Sequence, residues 1–322
     1  MTSRLSLRYL PFMHAGEPDH RPPVGQSTRA GYVALGGLPN AGKSTLLNAL
    51  AGAHLSIVTR KAQTTWQRIT GIRTEGAVQM VILDTPGILD SPRLFHRSMV
   101  ADARGALLEA DVVVAVVDGA ASMRPSELTA LADFLAEARC PVAVVANKAD
   151  HPRFDPRAAR QLAETAAAPC YPVSALEGAG LETLIADLES RLPESPFLYP
   201  EDEIAAAPTR FFVAEFIRET VFDRFQQEIP YSVAVQVDEF REGEDPVYIA
   251  ATVYVERQSQ KGIVVGKGGA AIRAVGGAAR RRIEYFLGAR VYLDLWVKVW
   301  DGWRHKREGL MTFGYTVPDE PG

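Results

Sequence analysis

Gly37-Leu38-Pro39-Asn40-Ala41-Gly42-Lys43-Ser44, followed by Thr45, fits the pattern G-x-x-x-x-G-K-[ST]. Glycines in such a loop let successive backbone N–H groups curl around phosphate oxygens, and a helix starting there adds its positive dipole end. Lys43 then reaches the outer phosphates, and the Ser44 hydroxyl is placed to ligate Mg²⁺. Asp84-Thr85-Pro86-Gly87 closes an apolar run, Val78 to Leu83, so its carboxylate stands at a strand end beside that loop, where a magnesium-site aspartate belongs. Gly87 can bring its backbone N–H against a terminal phosphate with no side chain in the way. Lys43, Asp84 and Gly87 are therefore the first catalytic candidates.

Asn147-Lys148-Ala149-Asp150 ends another apolar run and decides the base. A carboxylate at Asp150 accepts from the N1–H and the amino group of guanine, whereas adenine offers neither donor there. Two charge-assisted bonds at about 1.5 to 3 kcal/mol each discriminate by roughly 10² to 10⁴. Ser174-Ala175-Leu176, after the last strand of this region, is placed to close over the base. A Gly-rich turn or a D-x-x-G turn alone has a bland structural reading, but the ordered set in one chain points to a GTP and GDP site.

A second constellation lies far downstream. Gly266-Lys267-Gly268-Gly269 joins two helical segments in the G-x-x-G form of a KH loop, which brings backbone close to the phosphates of a single strand. Lys261, Lys267 and Arg273 are positioned to add phosphate contacts. Between Glu256 and Arg307 there are 12 Lys or Arg against 4 Asp or Glu, net +8, although the whole chain carries −4. Such clustering is an electrostatic footprint of nucleic-acid binding, with a solvated basic face as the bland alternative.

These residues need a scaffold. From Tyr32 onward, strand-like runs at Tyr32–Leu35, Val78–Leu83, Val112–Val117, Val142–Ala146 and Tyr171–Val173 alternate with helix-like Lys43–Ala51, Ser126–Ala138 and Leu181–Leu192. Alternation of this kind predicts an α/β domain with a mostly parallel sheet and helices on both faces. The expected units are a tail at 1–28, a nucleotide-binding domain at 29–192, a Pro-rich acidic linker at 193–207, a second domain at 208–310 and a C-terminal tail at 311–322. The second domain reads α-β-β-α-α-β, the α+β order of a type II KH module. Its phenylalanines Phe211, Phe212, Phe216, Phe222 and Phe225 have the helical spacing of core positions.

With these motifs in place, the chain resembles the translation-factor class of GTPases over residues 30–192. In Gln63-Thr64-Thr65 and in Val297-Lys298-Val299-Trp300-Asp301-Gly302-Trp303-Arg304 it resembles the Era family. The resemblance implies that a threonine closes on Mg²⁺ and γ-phosphate, here Thr65, with Thr64 as the near alternative. Ile88 stands where Ras-type enzymes carry a water-orienting glutamine; Era-like families share that replacement and are thought to use K⁺ near the P-loop asparagine, here Asn40. Trp66 departs from the arginine more usual after the paired threonines. Slow intrinsic hydrolysis, raised by a partner or a monovalent cation, is the expectation. The loops at 52–71 and 85–99 would be ordered by the γ-phosphate and released after hydrolysis. The implied partners are the 3′ end of small-subunit ribosomal RNA and the 30S subunit during its assembly.

A composition of 47% hydrophobic and 23% charged residues is that of a packed globular protein and excludes a disordered or fibrous chain. No apolar run reaches a membrane span or a secretory core, so a cytoplasmic protein is expected, with peripheral association at the inner face of the cell membrane as a further expectation. Cys140 and Cys170 each neighbour a proline and read as buried thiols. His96, His151 and His305 are isolated and receive no role. The rival reading is a GTP-dependent regulator acting on a protein partner or at a membrane surface.

Overall fold

The computed structural model describes residues 27–58, 65–88 and 94–317. The expected N-terminal tail therefore lies almost wholly outside the described residues, as do Gln63 and Thr64. The first domain comprises β1 Arg29–Gly36, α1 Lys43–Ala51, β2 Ile69–Glu75, β3 Val78–Asp84, α2 Leu94–Glu109, β4 Val112–Asp118, α3 Pro125–Ala136, β5 Val142–Asn147, α4 Arg157–Thr165, β6 Cys170–Pro172 and α5 Leu181–Arg191. Its sheet runs β2-β3-β1-β4-β5-β6, parallel except for β2 against β3.

Strands buried on both faces need apolar side chains on both, which is why β4 reads as an unbroken valine run. Val112, Val114 and Val116 join Leu46, Leu47 and Leu50 of α1 and Leu184 and Leu188 of α5. Val113, Ala115 and Val117 join α2, α3 and α4 on the opposite face. β2, an antiparallel edge strand, is free to carry Arg73 and Glu75, and the strand-like runs read from the sequence do not include it. Helix α2 begins at Leu94, so the expected mobile loop at 85–99 is helical over its last part.

The segment 193–207 is strapped to the sheet. Glu194 bridges Arg29, Ala205 bridges Gly71, and Gln79 accepts from the backbone N–H groups of Leu198 and Tyr199 at 2.8 and 2.9 Å. Beyond it come α6 Thr209–Arg224, β7 Ala234–Arg241, β8 Val247–Val255, α7 Gln258–Val265, α8 Ala270–Leu287, β9 Val291–Val299 and α9 Arg307–Thr312. The sheet is ordered β7-β8-β9, with β7 antiparallel and β9 parallel to β8. Phe212, Phe216 and Phe222 are core residues, as their spacing predicts.

An aromatic cluster joins the two domains: Trp66, Phe95 and Met99 from the first pack with Phe222, Trp303, Leu310 and Tyr315 from the second. The packed chain thus runs past residue 310, and Tyr315 and Val317 belong to this contact rather than to a free tail. Trp66, the departure after the paired threonines, is 2% exposed there, with the Arg218 guanidinium 4.6 Å above its ring.

Candidate functional site

Four strand C-termini, Gly36, Asp84, Asp118 and Asn147, meet where the strand order turns outward from β1, the switch-point crevice at which α/β sheets bind ligands. A cavity of about 630 Å³ opens there, lined by Pro39, Asn40, Gly42, Lys43, Ser44, Thr45, Ile57, Val58, Thr65, Gly87, Asp118, Asn147, Lys148, Asp150, His151, Ala175 and Leu176. The P-loop wraps its floor. Gly42 has φ 94°, and a Cβ there would stand 2.2 Å from Asn147 Nδ2, so no other residue fits. At Gly87, which lines the cavity, a Cβ would meet Pro39 backbone at 2.8 Å, so this close approach also requires glycine. Gly37, Leu38 and Ala41 shape the loop from beneath without lining the cavity.

Lys43 is 6% exposed and donates to the carbonyls of Gly37 and Leu38 at 3.1 and 3.0 Å. Burial lowers its pKa to about 8, while the Asp84 carboxylate acts the other way. A phosphate anion would restore the favoured charge. Asp84 is fully buried, and that burial pushes its carboxyl upward against the opposing pull of Lys43 and three hydroxyls. Its Oδ2 accepts from Ser44 at 2.7 Å, Ser56 at 2.8 Å and Thr65 at 3.2 Å, and Ser44 and Thr65 hydroxyls lie 2.7 Å apart. Its Oδ1 is buried without a hydrogen-bond partner. An all-oxygen set of one carboxylate and two hydroxyls, with one oxygen unsatisfied, fits a hard cation such as Mg²⁺, which Ser44, Thr65 and Asp84 would hold.

Ser56 was invisible in the sequence because an isolated serine carries no spacing signal. Its position is imposed by Asn48 of α1, whose Oδ1 accepts from the N–H groups of Leu55 and Ser56 and whose Nδ2 donates to the Ser56 carbonyl. Ile57 and Val58, next along that segment, form the apolar wall of the cavity. Val58 N–H in turn faces Glu219 Oε1 of α6 at 3.4 Å, and His54 pairs with Glu219 at 3.3 Å. The second domain therefore supports the nucleotide wall of the first.

At the base end, Asn147 is 2% exposed and ties the loops together: its Nδ2 donates to the Ala41 carbonyl at 2.9 Å and its Oδ1 accepts from Ala175 N–H at 3.1 Å. Lys148, at φ 65°, reaches Asp118 at 2.6 Å. Asp118 also lines the cavity and was missed, since one aspartate after a valine run is not a pattern. Asp150 is exposed, and Ser174 donates to its Oδ1 at 2.5 Å. Ser174 itself is buried, so it orients Asp150, leaving Ala175 and Leu176 to line the cavity. His151, given no role from sequence, also lines it. Ile88 does not: its N–H donates to the Gly37 carbonyl at 3.1 Å and its side chain packs on the core.

The second site stands on α7 and α8. Gly266, Gly268 and Gly269 all have positive φ, and a Cβ on Gly266 would lie 2.7 Å from that of Ala271, so the turn between these helices requires glycine. Lys267, Gly268 and Arg273 are exposed, Lys261 and Gly269 half-buried, and Ile263 offers apolar surface at 51% exposure. Arg280 and Arg281 continue the exposed basic face. Arg282 turns inward and pairs with Glu219 and Asp223 at 3.4 and 2.7 Å. Cys140 and Cys170 are free and half-buried. Among the described residues no helix is long and apolar enough to cross a membrane.

Two family models match this chain, one described as a 50S ribosome-binding GTPase over residues 32–148, the other as a KH domain over 228–304. GTPase Era of Carboxydothermus hydrogenoformans is 40% identical over 295 residues, which cover 90% of this chain and 99% of that protein. GTPase Era of Nitratidesulfovibrio vulgaris is 41% identical over 303 residues, covering 91% and 98%. The crystal structure of an Aquifex aeolicus Era variant bound to GDP and AlF4⁻ matches with a TM-score of 0.84 at 36% identity, over 90% of this chain and 100% of that one. Era in complex with MgGDPNP and nucleotides 1506–1542 of 16S ribosomal RNA matches with a TM-score of 0.85, at the same identity and coverage.

Proposed function

This chain belongs to the Era family of GTPases, and we propose that it is a GTP-driven switch that binds the 3′ end of small-subunit ribosomal RNA in the cytoplasm and acts in assembly of the 30S subunit. The observation that carries the reading is the packing of a domain whose P-loop cavity is lined by Asn147, Lys148 and Asp150 against a domain with an exposed, cationic G-x-x-G turn. In the first domain Lys43 and the loop N–H groups hold the phosphates, Ser44, Thr65 and Asp84 would hold Mg²⁺, and Gly87 N–H faces the γ-phosphate. Mg²⁺ supplies charge neutralisation as the terminal phosphoryl group leaves. Asp150, oriented by Ser174, reads the base.

No side chain at position 88 reaches the cavity, so water orientation and charge compensation have to come from elsewhere. We assign part of that task to K⁺ beside Asn40, which sits on the cavity rim at φ 62°. Hydrolysis in KCl should exceed that in NaCl at equal ionic strength severalfold, and Asn40→Ala should abolish the difference. Equal rates in the two salts for the unaltered protein would remove K⁺ from the reaction.

For the RNA site, Lys267→Asp combined with Gly268→Asp places carboxylates where a phosphate must approach. Filter binding to a 3′-terminal ribosomal RNA oligonucleotide should collapse, while phosphate release without RNA changes less than about twofold, because the turn lies in the other domain and none of its residues lines the cavity. Melting curves identify the folded double mutant. Undiminished RNA affinity in that folded protein would move the RNA site away from the turn.

A further inference from the structure

Neither the nucleotide cavity nor the Gly266–Gly269 turn uses the outer face of the second sheet. One face of β8 is filled by Val247, Ile249, Ala251, Val253 and Val255, all buried under the helices. The alternate residues point away from them, and the parallel register sets Tyr248 beside Tyr292, Ala250 beside Asp294, Thr252 beside Trp296 and Tyr254 beside Lys298. At one end this face is covered by the chain itself, where Tyr254 packs on Trp300 and Phe313 with centroids 6.0 and 5.2 Å away. Toward the other end it lies open, with Tyr292 58% and Trp296 61% exposed.

These rings are held in place. Tyr248 and Tyr292 stack at 5.8 Å with 12° between planes, and the Trp296 indole N–H donates to Asp294 at 3.0 Å. An aromatic platform suits two classes of partner, a single strand whose bases stack or a polypeptide whose cations sit on ring faces. Charge decides between them. The strands and turn bordering the platform carry Asp238, Glu239, Glu242, Glu244, Asp245 and Asp294 against Arg241, Arg290 and Lys298. Arg241 pairs with Glu239 and Glu244, and Arg290 with Asp245, which leaves Asp238, Glu242 and Asp294 against Lys298. A polyphosphate strand laid here would meet net negative charge, opposite to the +8 segment that carries the G-x-x-G turn.

An arginine, by contrast, finds a ring face and a carboxylate together. The molecule already contains that contact, for the Arg241 guanidinium lies 4.7 Å above the Tyr248 ring while paired with Glu239 at 2.7 Å. We propose that the open face around Tyr292 and Trp296 docks an arginine-rich segment of a ribosomal protein, a contact separate from the RNA turn. This rests on the reading that the chain acts on the small subunit.

The test compares two probes, purified 30S subunits and the naked 3′-terminal RNA oligonucleotide. Tyr292→Ser with Trp296→Ser should weaken subunit binding about tenfold, as loss of aromatic anchors does, and leave oligonucleotide affinity within about twofold. Asp294→Lys with Glu239→Lys keeps the aromatic rings and reverses the charge; it should weaken subunit binding equally and not weaken the oligonucleotide. A photoreactive p-benzoyl-phenylalanine in place of Tyr292 should crosslink to ribosomal protein. Subunit binding unaffected in both folded double mutants, or crosslinks to RNA with parallel loss of oligonucleotide affinity, would overturn the proposal. An unaltered protein that binds neither probe would overturn the parent reading instead.

Discussion

Asp150 carries the choice of base, and its environment makes the claim specific. The carboxylate is exposed toward the cavity, yet Ser174 fixes one of its oxygens at 2.5 Å, so the group is presented to the base in one orientation. Asp150→Asn replaces an acceptor by an amide that donates on one side. Guanine then loses a partner for its N1–H and amino group, whereas xanthine, with a C2 carbonyl, gains one. Affinity for GTP should fall by about 10² to 10⁴ and that for xanthosine triphosphate should rise above it, as two charge-assisted hydrogen bonds are worth about 1.5 to 3 kcal/mol each. Competition between the two triphosphates against a fluorescent GDP analogue reads this directly; unchanged GTP affinity would take base recognition away from Asp150. Asp84 shows the other kind of residue information. Its motif was plain, but the three hydroxyls on one oxygen and the unsatisfied second oxygen, which make the case for Mg²⁺, appear only when Ser56 arrives from another part of the chain.

Helix α6 is one of the elements on which the two domains meet. Its Glu219 is 4% exposed and shared among Val58 N–H, His54 and Arg282, while His54 stacks on Phe216 one turn earlier with centroids 5.9 Å apart. The segment 54–58 is thereby clamped from two sides, by Asn48 of α1 and by Glu219 of α6. Glu219→Ala removes one clamp and leaves Arg282 to Asp223. Release of a fluorescent GDP analogue should quicken severalfold, and folding stability should drop by about 1 to 3 kcal/mol, the usual cost of a lost buried hydrogen-bonding partner. Affinity for the RNA oligonucleotide should stay within about twofold, since the G-x-x-G turn is untouched. Unchanged release in stopped-flow measurements would show that Asn48 alone holds the nucleotide wall.

At the scale of the whole molecule, sequence and tertiary structure contributed different things. The sequence by itself determined the α/β class, the second α-β-β-α-α-β module and most of the nucleotide loop, because valine runs and Gly-rich turns express local requirements: two-sided burial, positive φ and close approach to phosphate. It did not reveal β2, whose exposed edge tolerates Arg73 and Glu75, nor α9, whose six residues are too few for periodicity. Trp66 read as an anomaly in a loop; only the assembled domains show it as the centre of an aromatic contact with Phe95, Phe222, Trp303 and Tyr315, capped by Arg218. Arg282 counts by sequence toward the net +8 of the segment from Glu256 to Arg307 and is instead committed to Glu219 and Asp223. The roles of Ser56, Asp118, Glu219 and Tyr315 were likewise decided by tertiary structure alone. Each acts through a partner between 28 and 165 residues away, as in Ser56 to Asp84 and His54 to Glu219, or through a contact between domains, and spacing along a chain carries no signal for a pairing that only folding creates.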